Sequence, residues 1–436
     1  MRMSVIGCGY LGAVHAAAMA SIGHEVTGID TNPDRIAALA AGKAPFFEPG
    51  LDELLAAGVA SGRLTFSADI ADAAGSVLHF LAVGTPQQPD GSAADLRFVH
   101  AALDALLPQL RPGDVVAGKS TVPVGTAAGL AERVAGAGAT LVWNPEFLRE
   151  GWAVRDTLHP DRLVVGAAAD ESGRRAVEVL REAYADAIAE GSPFLVTDLA
   201  TAELVKGAAN AFLATKISFI NAMAEIAEAA GADVTRLADA IGYDDRIGRR
   251  FLGAGIGFGG GCLPKDIRAF AARAEELGRG ASVGFLREVD AINLRRREHA
   301  VRLVLEAFGG SVVGKRITML GAAFKPHSDD VRDSPALEVA IRLRGMGAKV
   351  RVTDPEALGN AAAVHPQLKY VADRDKALKG ADAVVLVTEW DLYRRELAPE
   401  HASTLARGRI IVDGRNCLDP QAWRAAGWTY VGMGRP

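Results

Sequence analysis

Hydrophobic positions along this chain gather into short unbroken runs separated by stretches of helical spacing, the pattern of parallel strands covered on both faces by helices. Ser4-Val5-Ile6 is one such run, Ala13 to Ser21 reads as an alanine-rich helix, and His24 to Asp30 reads as a second strand ending in an acid. Further runs at 76–83, 114–118 and 141–143 predict three more strands. From 201 to 230 the pattern changes to one long helix, with no glycine or proline after Ala208, and helical periodicity continues to about residue 308. A second α/β series then starts: a strand at 315–321, a helix at 336–345, and strands at 349–354, 381–388 and 408–413. The predicted class is α/β, with two doubly wound domains flanking a helical spacer and boundaries at 1–198, 199–300 and 301–436.

Length and charge narrow the picture. A chain of 436 residues has room for several cores, and a net charge of −5 leaves no basic face large enough to suggest nucleic acid as the main partner. No apolar run reaches the roughly 18 residues of a membrane span. Cys8, Cys262 and Cys417 are odd in number and widely spaced, which fits neither a disulfide framework nor a metal cluster, so no metal and a reducing cytoplasmic setting are expected.

The first strand runs into Gly7-Cys8-Gly9-Tyr10-Leu11-Gly12 and then a helix, which with Asp30 at the tip of the second strand makes a Rossmann-like dinucleotide fingerprint. Gly7 permits the turn, Gly9 lets backbone approach a pyrophosphate, and Gly12 allows close helix packing. Asp30 favours NAD over NADP because it accepts from ribose hydroxyls and repels a 2′-phosphate, a preference that Arg35 tempers. Ligands of such sheets sit at the carboxyl ends of strands, where Thr85, Thr121 and the segment 144–151 with Glu146 and Glu150 fall. Lys206 and Asn210 share a helix face, which by itself is the border of a core. Between Gly253 and Gly261 lie six glycines in nine residues, followed by Cys262, a candidate nucleophile, with Lys265 and Asp266 beside it. The second glycine loop, Gly321-Ala322-Ala323-Phe324, is degenerate and is assigned no dinucleotide, while Lys325 and Arg415 read as phosphate or base contacts.

Together these motifs resemble the UDP-glucose/GDP-mannose dehydrogenase family over almost the whole chain. The resemblance is carried by the glycine loop at 7–12, Lys-Ser-Thr-Val-Pro at 119–123, Asn-Pro-Glu-Phe-Leu-Arg-Glu-Gly at 144–151 and Glu203 to Asn210. It continues with Tyr-Asp-Asp-Arg-Ile-Gly at 243–248, Gly-Gly-Gly-Cys-Leu-Pro-Lys-Asp at 259–266 and Phe-Lys-Pro at 324–326. It implies a four-electron oxidation of a sugar's primary alcohol to a carboxylate, with two NAD and one water, on a covalent cysteine intermediate. By resemblance Cys262 is the nucleophile, Lys206 and Asn210 stabilise the oxyanion, Asp266 and Thr121 order a water, and Glu146 is the base for thioester hydrolysis. Glu150, Lys265 and Arg332 are implied on the cofactor side. Phe147, Leu148, Arg149, Phe251, Leu252, Gly253, Ala254, Gly255 and Gly259 are implied along the sugar nucleotide, with Lys325 and Arg415 on its phosphates and base. A homodimer through the long helix, with Arg246 reaching the partner's site, is also implied. The motif at 243–248 and Asp413 to Asn416 resemble the UDP-glucose branch; UDP-N-acetylmannosamine and GDP-mannose oxidation, and a silent NAD or sugar-nucleotide sensor, are the alternatives. Gly261 departs from a position that often holds serine or tyrosine in the family.

Overall fold

The computed structural model describes residues 1–436, and the chain packs as two compact units: Met1–Ala209 with Ala272–Gly278, and Asn210–Ala271 with Arg279–Pro436. Residues of the helical block at 199–300 are shared between these units. The first unit carries one sheet of eight strands: β1 (Arg2–Ile6), β2 (Glu25–Ile29), β3 (Leu64–Ser67), β4 (Leu78–Leu81), β5 (Val115–Gly118), β6 (Thr140–Trp143), β7 (Leu163–Gly166) and β8 (Phe194–Thr197). Their order is β3-β2-β1-β4-β5-β6-β7-β8, a doubly wound arrangement whose chain reversal lies between β1 and β4. Pairing is parallel except for a single antiparallel bridge, Trp143 with Gly166.

Register at the centre of this sheet fixes where side chains emerge. Gly118 of β5 pairs with Trp143 of β6, and a Cβ at Gly118 would lie 2.1 Å from the fully buried indole. Filling that space is overpacking of the kind that costs about 1–3 kcal/mol. The next residues on the two strands, Lys119 and Asn144, therefore leave the sheet side by side.

In the second unit β9 (Arg316–Leu320), β10 (Lys349–Thr353), β11 (Lys369–Tyr370), β12 (Ala383–Leu386), β13 (Ile410–Asp413) and β14 (Thr429–Gly432) form an all-parallel sheet in the order β11-β10-β9-β12-β13-β14. It repeats the winding of the first. Its core joins these strands to the helix Pro335–Gly345 and to Trp390, Tyr393, Trp423 and Trp428.

The long helix Leu199–Ala230 has 32 residues, about 48 Å at 1.5 Å per residue. Ala214, Ile220 and Ala224 on one side are fully buried, whereas Phe212, Phe219 and Ile226, seven residues apart, are exposed by 67, 49 and 60%. No helix is long and apolar enough to cross a membrane.

Candidate active site

The glycine loop at the end of β1 is built as a nucleotide cradle. Gly7, at φ 91°, turns the chain and donates its N–H to Ile29, and a Cβ on Gly12 would fall 1.9 Å from the Gly7 carbonyl oxygen. Open space lies beside Gly9 instead, where the helix Tyr10–Ser21 starts and its amide dipoles favour an anion. Asp30 is nearly buried. Its Oδ2 accepts from Cys8 N at 2.8 Å and Arg35 Nη1 at 2.9 Å, and its Oδ1 from Asn32 N at 2.9 Å. A carboxylate has about four lone-pair sites, so Oδ1 keeps one for a ribose hydroxyl. The residues fit NAD.

The second loop is wired alike, with a different outcome. Gly321 also turns at positive φ and bonds Thr353, and Asp354 follows β10 as Asp30 follows β2. Asp354, however, accepts from the N–H groups of Ala322, Ala323, Glu356 and Ala357 and from Trp390 Nε1. No lone pair remains for a ribose, the physical reason that this sheet offers no second site of the Asp30 kind.

At the tips of β5 and β6, Lys119 is 3% exposed and its Nζ lies 2.9 Å from Glu146 Oε2, 3.1 Å from Asn144 Oδ1 and 3.2 Å from Tyr184 OH. Glu146 Oε1 accepts from Phe147 N at 2.8 Å and Leu148 N at 3.0 Å. Burial works to raise the Glu146 carboxyl, but the Lys119 ammonium and these N–H groups outweigh it and hold it below the usual carboxylate range. Arg149 N bonds Asp156 Oδ2, and the Arg149 guanidinium takes the same carboxylate. The amides of Phe147, Leu148 and Arg149 are thus committed, as are the Arg149 guanidinium and the Arg149 carbonyl, which accepts from Trp152 N at 2.9 Å, so a ligand here would meet the carbonyls and side chains of Phe147 and Leu148. Lys206 lies with its Nζ 5.5 Å from the centre of the Phe147 ring. Thr85 Oγ1 donates to the Thr121 carbonyl at 2.7 Å, tying the tips of β4 and β5. Glu150 is half-buried, immediately before a tether in which Glu48 accepts from Gly151 N, Ala153 N and Tyr10 OH.

In the second unit Cys262 is exposed immediately before the helix Leu263–Glu276, and its carbonyl accepts from Asp266 N at 2.9 Å. Amide dipoles at such a terminus favour a thiolate. Asp266 is 4% exposed; it takes Asn210 Nδ2 on Oδ2 at 2.6 Å and pairs with Lys265 through Oδ1. Five of the six glycines before the thiol, all but Gly253, are required by the protein's own packing. A Cβ at Gly255 would meet the Gly414 carbonyl at 2.4 Å, at Gly257 the Asn293 side chain at 2.3 Å, and at Gly259 the Asp333 carbonyl at 2.2 Å. At Gly260 it would strike the Phe324 ring and at Gly261 the Arg332 guanidinium, within 2.7 Å in both cases. Arg332 is itself forked onto Asp330, so a serine or tyrosine at 261 displaces it.

Arg415 clasps this loop from the tip of β13, donating to the carbonyls of Gly257, Val387 and Phe324, and Asn416 reaches Ala254. Lys325 lies 5.3 Å from the Phe324 ring centre. Phe251 opens the loop at φ 65°, Leu252 is buried and Gly253 exposed. Arg246 is 89% exposed and forks onto Asp244 of its own chain.

Several participants were not evident beforehand. Lys119 and Tyr184 define the setting of Glu146, yet a lysine in a strand-tip turn reads as solvated. Glu203 is 3% exposed and its carboxylate accepts from Gly125 N and Ala127 N, capping the helix Thr126–Gly136. Its signal is an acid in the long helix close to Lys206.

Residues 1–188 match the NAD binding domain of the UDP-glucose/GDP-mannose dehydrogenase family, 200–295 its central domain and 318–420 its UDP binding domain. A UDP-glucose 6-dehydrogenase of Rhizobium meliloti (strain 1021) is 42% identical over 442 residues, covering 100% of both chains. One from Pseudomonas aeruginosa is 40% identical over 451 residues, 100% of this chain and 98% of the relative. Among solved structures, a UDP-glucose dehydrogenase from the archaeon Pyrobaculum islandicum superposes with a TM-score of 0.89 at 41% identity, covering 100% of this chain and 98% of the other. A UDP-D-ManNAc dehydrogenase from Pyrococcus horikoshii gives 0.86 at 27% identity, covering 100% and 99%. The chain belongs to the UDP-glucose/GDP-mannose dehydrogenase family.

Proposed function

We propose that this chain oxidises UDP-glucose to UDP-glucuronate through a thiohemiacetal and then a thioester on Cys262. That it is an NAD-dependent oxidoreductase follows from its family and its NAD binding domain. NAD, when bound, supplies the hydride acceptor for each oxidation. UDP-glucose is favoured because the relatives that carry that substrate in their names stand at 40–42% identity, against 27% for the UDP-ManNAc enzyme. The observation that carries the covalent route is the exposed Cys262 thiol at a helix N-terminus, with buried Asp266 one turn along and bonded to Asn210.

In this reading Lys206 and Asn210 stabilise the negative oxygen that develops on the substrate, and Asp266 with Thr121 orders water. Cys262 Sγ adds to the aldehyde carbon that the first oxidation leaves, and the carbonyl π bond opens to put the electron pair on that oxygen. Water then adds to the thioester carbonyl, Glu146 takes its proton, and the C–S bond breaks to return the thiolate. Lys265, Glu150 and Arg332 serve the cofactor side. Lys325 serves the substrate phosphates, and Arg415 shapes their pocket by holding the Gly257 and Phe324 carbonyls. We assign 1–198 to cofactor binding, 199–300 to dimerisation and the nucleophile, and 301–436 to the UDP-sugar. The exposed stripe of Phe212, Phe219 and Ile226 supports a symmetric dimer across the long helix.

The test is NADH release on adding UDP-glucose and NAD, with two NADH per acid formed; faster turnover of UDP-N-acetylmannosamine or GDP-mannose overturns the substrate assignment. Glu146→Gln is expected to release two NADH per site in one burst and stall. Acid-quenched intact mass then carries a UDP-glucuronyl adduct on the Cys262 peptide. Normal turnover by this variant transfers the base role to Glu150.

A further inference from the structure

We propose that Lys119 is a positioning residue for thioester hydrolysis: held by Asn144 and Tyr184 at the wall of a small cavity, it keeps Glu146 ionised and leaves one lone pair on Oε2 for the attacking water. The inference rests on the reading of Glu146 as the hydrolytic base. An ammonium has three protons, and Lys119 has three acceptors, Glu146 Oε2, Asn144 Oδ1 and Tyr184 OH, at 2.9–3.2 Å. Those acceptors are themselves fixed. Asn144 Nδ2 donates to the Val164 carbonyl at 2.9 Å, which sets the direction of its amide, and Tyr184 OH donates to Asn144 Oδ1 at 2.7 Å. On the carboxylate, Oε1 is filled by two backbone N–H groups and Oε2 by Lys119. Of about four lone-pair sites, the one left is on Oε2.

Behind the pair lies a cavity of about 30 Å³, room for about two waters. His15 lines it from the helix Tyr10–Ser21, fully buried with neither ring nitrogen bonded to protein. The cavity is large enough for water to partner that imidazole. The other charged groups around the cavity are Asp156, Asp161 and Arg162. Asp156 is paired with Arg149 at 2.6 Å, and the Arg162 guanidinium lies 3.9 Å from the centre of the Phe147 ring. Burial holds His15 neutral, so Lys119 is the cation that bonds Glu146. Burial alone pushes the Glu146 carboxyl up, and the lysine, first among the groups that oppose it and joined by the Phe147 and Leu148 N–H groups, reverses the sign. Without it the carboxyl rises, and the acid limb of any step that needs the carboxylate moves to higher pH.

The experiment follows thioester decay on the full-length enzyme, by quenched mass after the NADH burst, as a function of pH. Lys119→Met is expected to keep the burst, slow decay at neutral pH by about 10- to 100-fold and move the acid limb up by about 1–3 pH units. Lys119→Arg, which retains a cation, is expected to restore most of the limb. Tyr184→Phe, which removes one acceptor and spares the pair, gives a smaller shift in the same direction and stands in should Lys119→Met not fold. An acid limb that stays at the wild-type pH in either folded variant overturns the proposal. Glu146→Gln run beside them separates the two ideas: normal turnover there sinks the base assignment itself. A stall there with an unmoved limb in Lys119→Met sinks only the role of the lysine.

Discussion

Replacing Asp30 with serine tests whether the carboxylate sets cofactor choice, and the structure supplies the sizes. Asp30 makes three internal hydrogen bonds, to Cys8 N, Asn32 N and Arg35 Nη1, of which the half-exposed Arg35 contributes little. The two backbone bonds to a charged acceptor are worth about 1.5–3 kcal/mol each. Serine replaces at most one, so a loss of at least about 1.5–3 kcal/mol of stability is expected. NAD loses the ribose bond to Oδ1, about 1–3 kcal/mol or roughly 5- to 150-fold in affinity. NADP gains, because the charge that repels its 2′-phosphate is gone and Arg35 is released toward it. The ratio of kcat/KM for NADP to that for NAD is therefore expected to rise by on the order of 100-fold. Initial rates with each cofactor at saturating UDP-glucose measure the ratio, and a thermal melt verifies that the variant is folded. Comparable kcat/KM for both cofactors in the wild type, or an unchanged ratio in folded Asp30→Ser, refutes the argument.

Three further outcomes are expected. Cys262→Ala loses net acid formation while folding normally, since the thiol is exposed; steady UDP-glucuronate production by it rules out the covalent route. Inactive Arg246→Ala and inactive Cys262→Ala subunits, mixed under proven exchange, recover part of the activity if Arg246 acts on the partner's site. No recovery confines it to its own chain, where it pairs with Asp244. The depressed Glu146 carboxyl contributes stability that is complete above its ordinary value of about 4.5 and lost as pH falls through the lower folded value. Urea midpoints of the wild type should accordingly fall more steeply below about pH 4.5 than those of Glu146→Gln, and parallel slopes count against the Lys119–Glu146 pair as drawn.

Both sheets could be read from the sequence because buried parallel strands leave continuous apolar runs, and the fingerprint at 7–12 with Asp30 placed the cofactor cradle. Five strands escaped notice: β7 is a buried Leu-Val-Val-Gly run too short to stand out, β14 is four residues at Thr429–Gly432, and the other three lack that signature. β8 exposes Leu195 and Val196 at the sheet's edge by 50 and 52%, β11 has two residues, and β3 alternates with threonine and serine. Lys119 escaped for another reason: its burial depends on Tyr184 and Asn144, far apart in sequence and adjacent only in the fold. The glycines at 253–261 were visible, but one of their reasons was not. From Gly255 onward their close approach is to Gly414, Asn293, Asp333, Phe324 and Arg332, contacts that no local pattern announces.

Asp354 has a consequence best put in the language of synthesis. Its carboxylate is masked as by a protecting group, and four of the five masking donors are main-chain amides, those of Ala322, Ala323, Glu356 and Ala357. Substituting side chains leaves those amides in place, and replacing Trp390 removes only the fifth donor. Turning the second cradle to ribose recognition therefore demands a rebuilt loop rather than a point change, which secures the division of labour between the sheets against mutational drift.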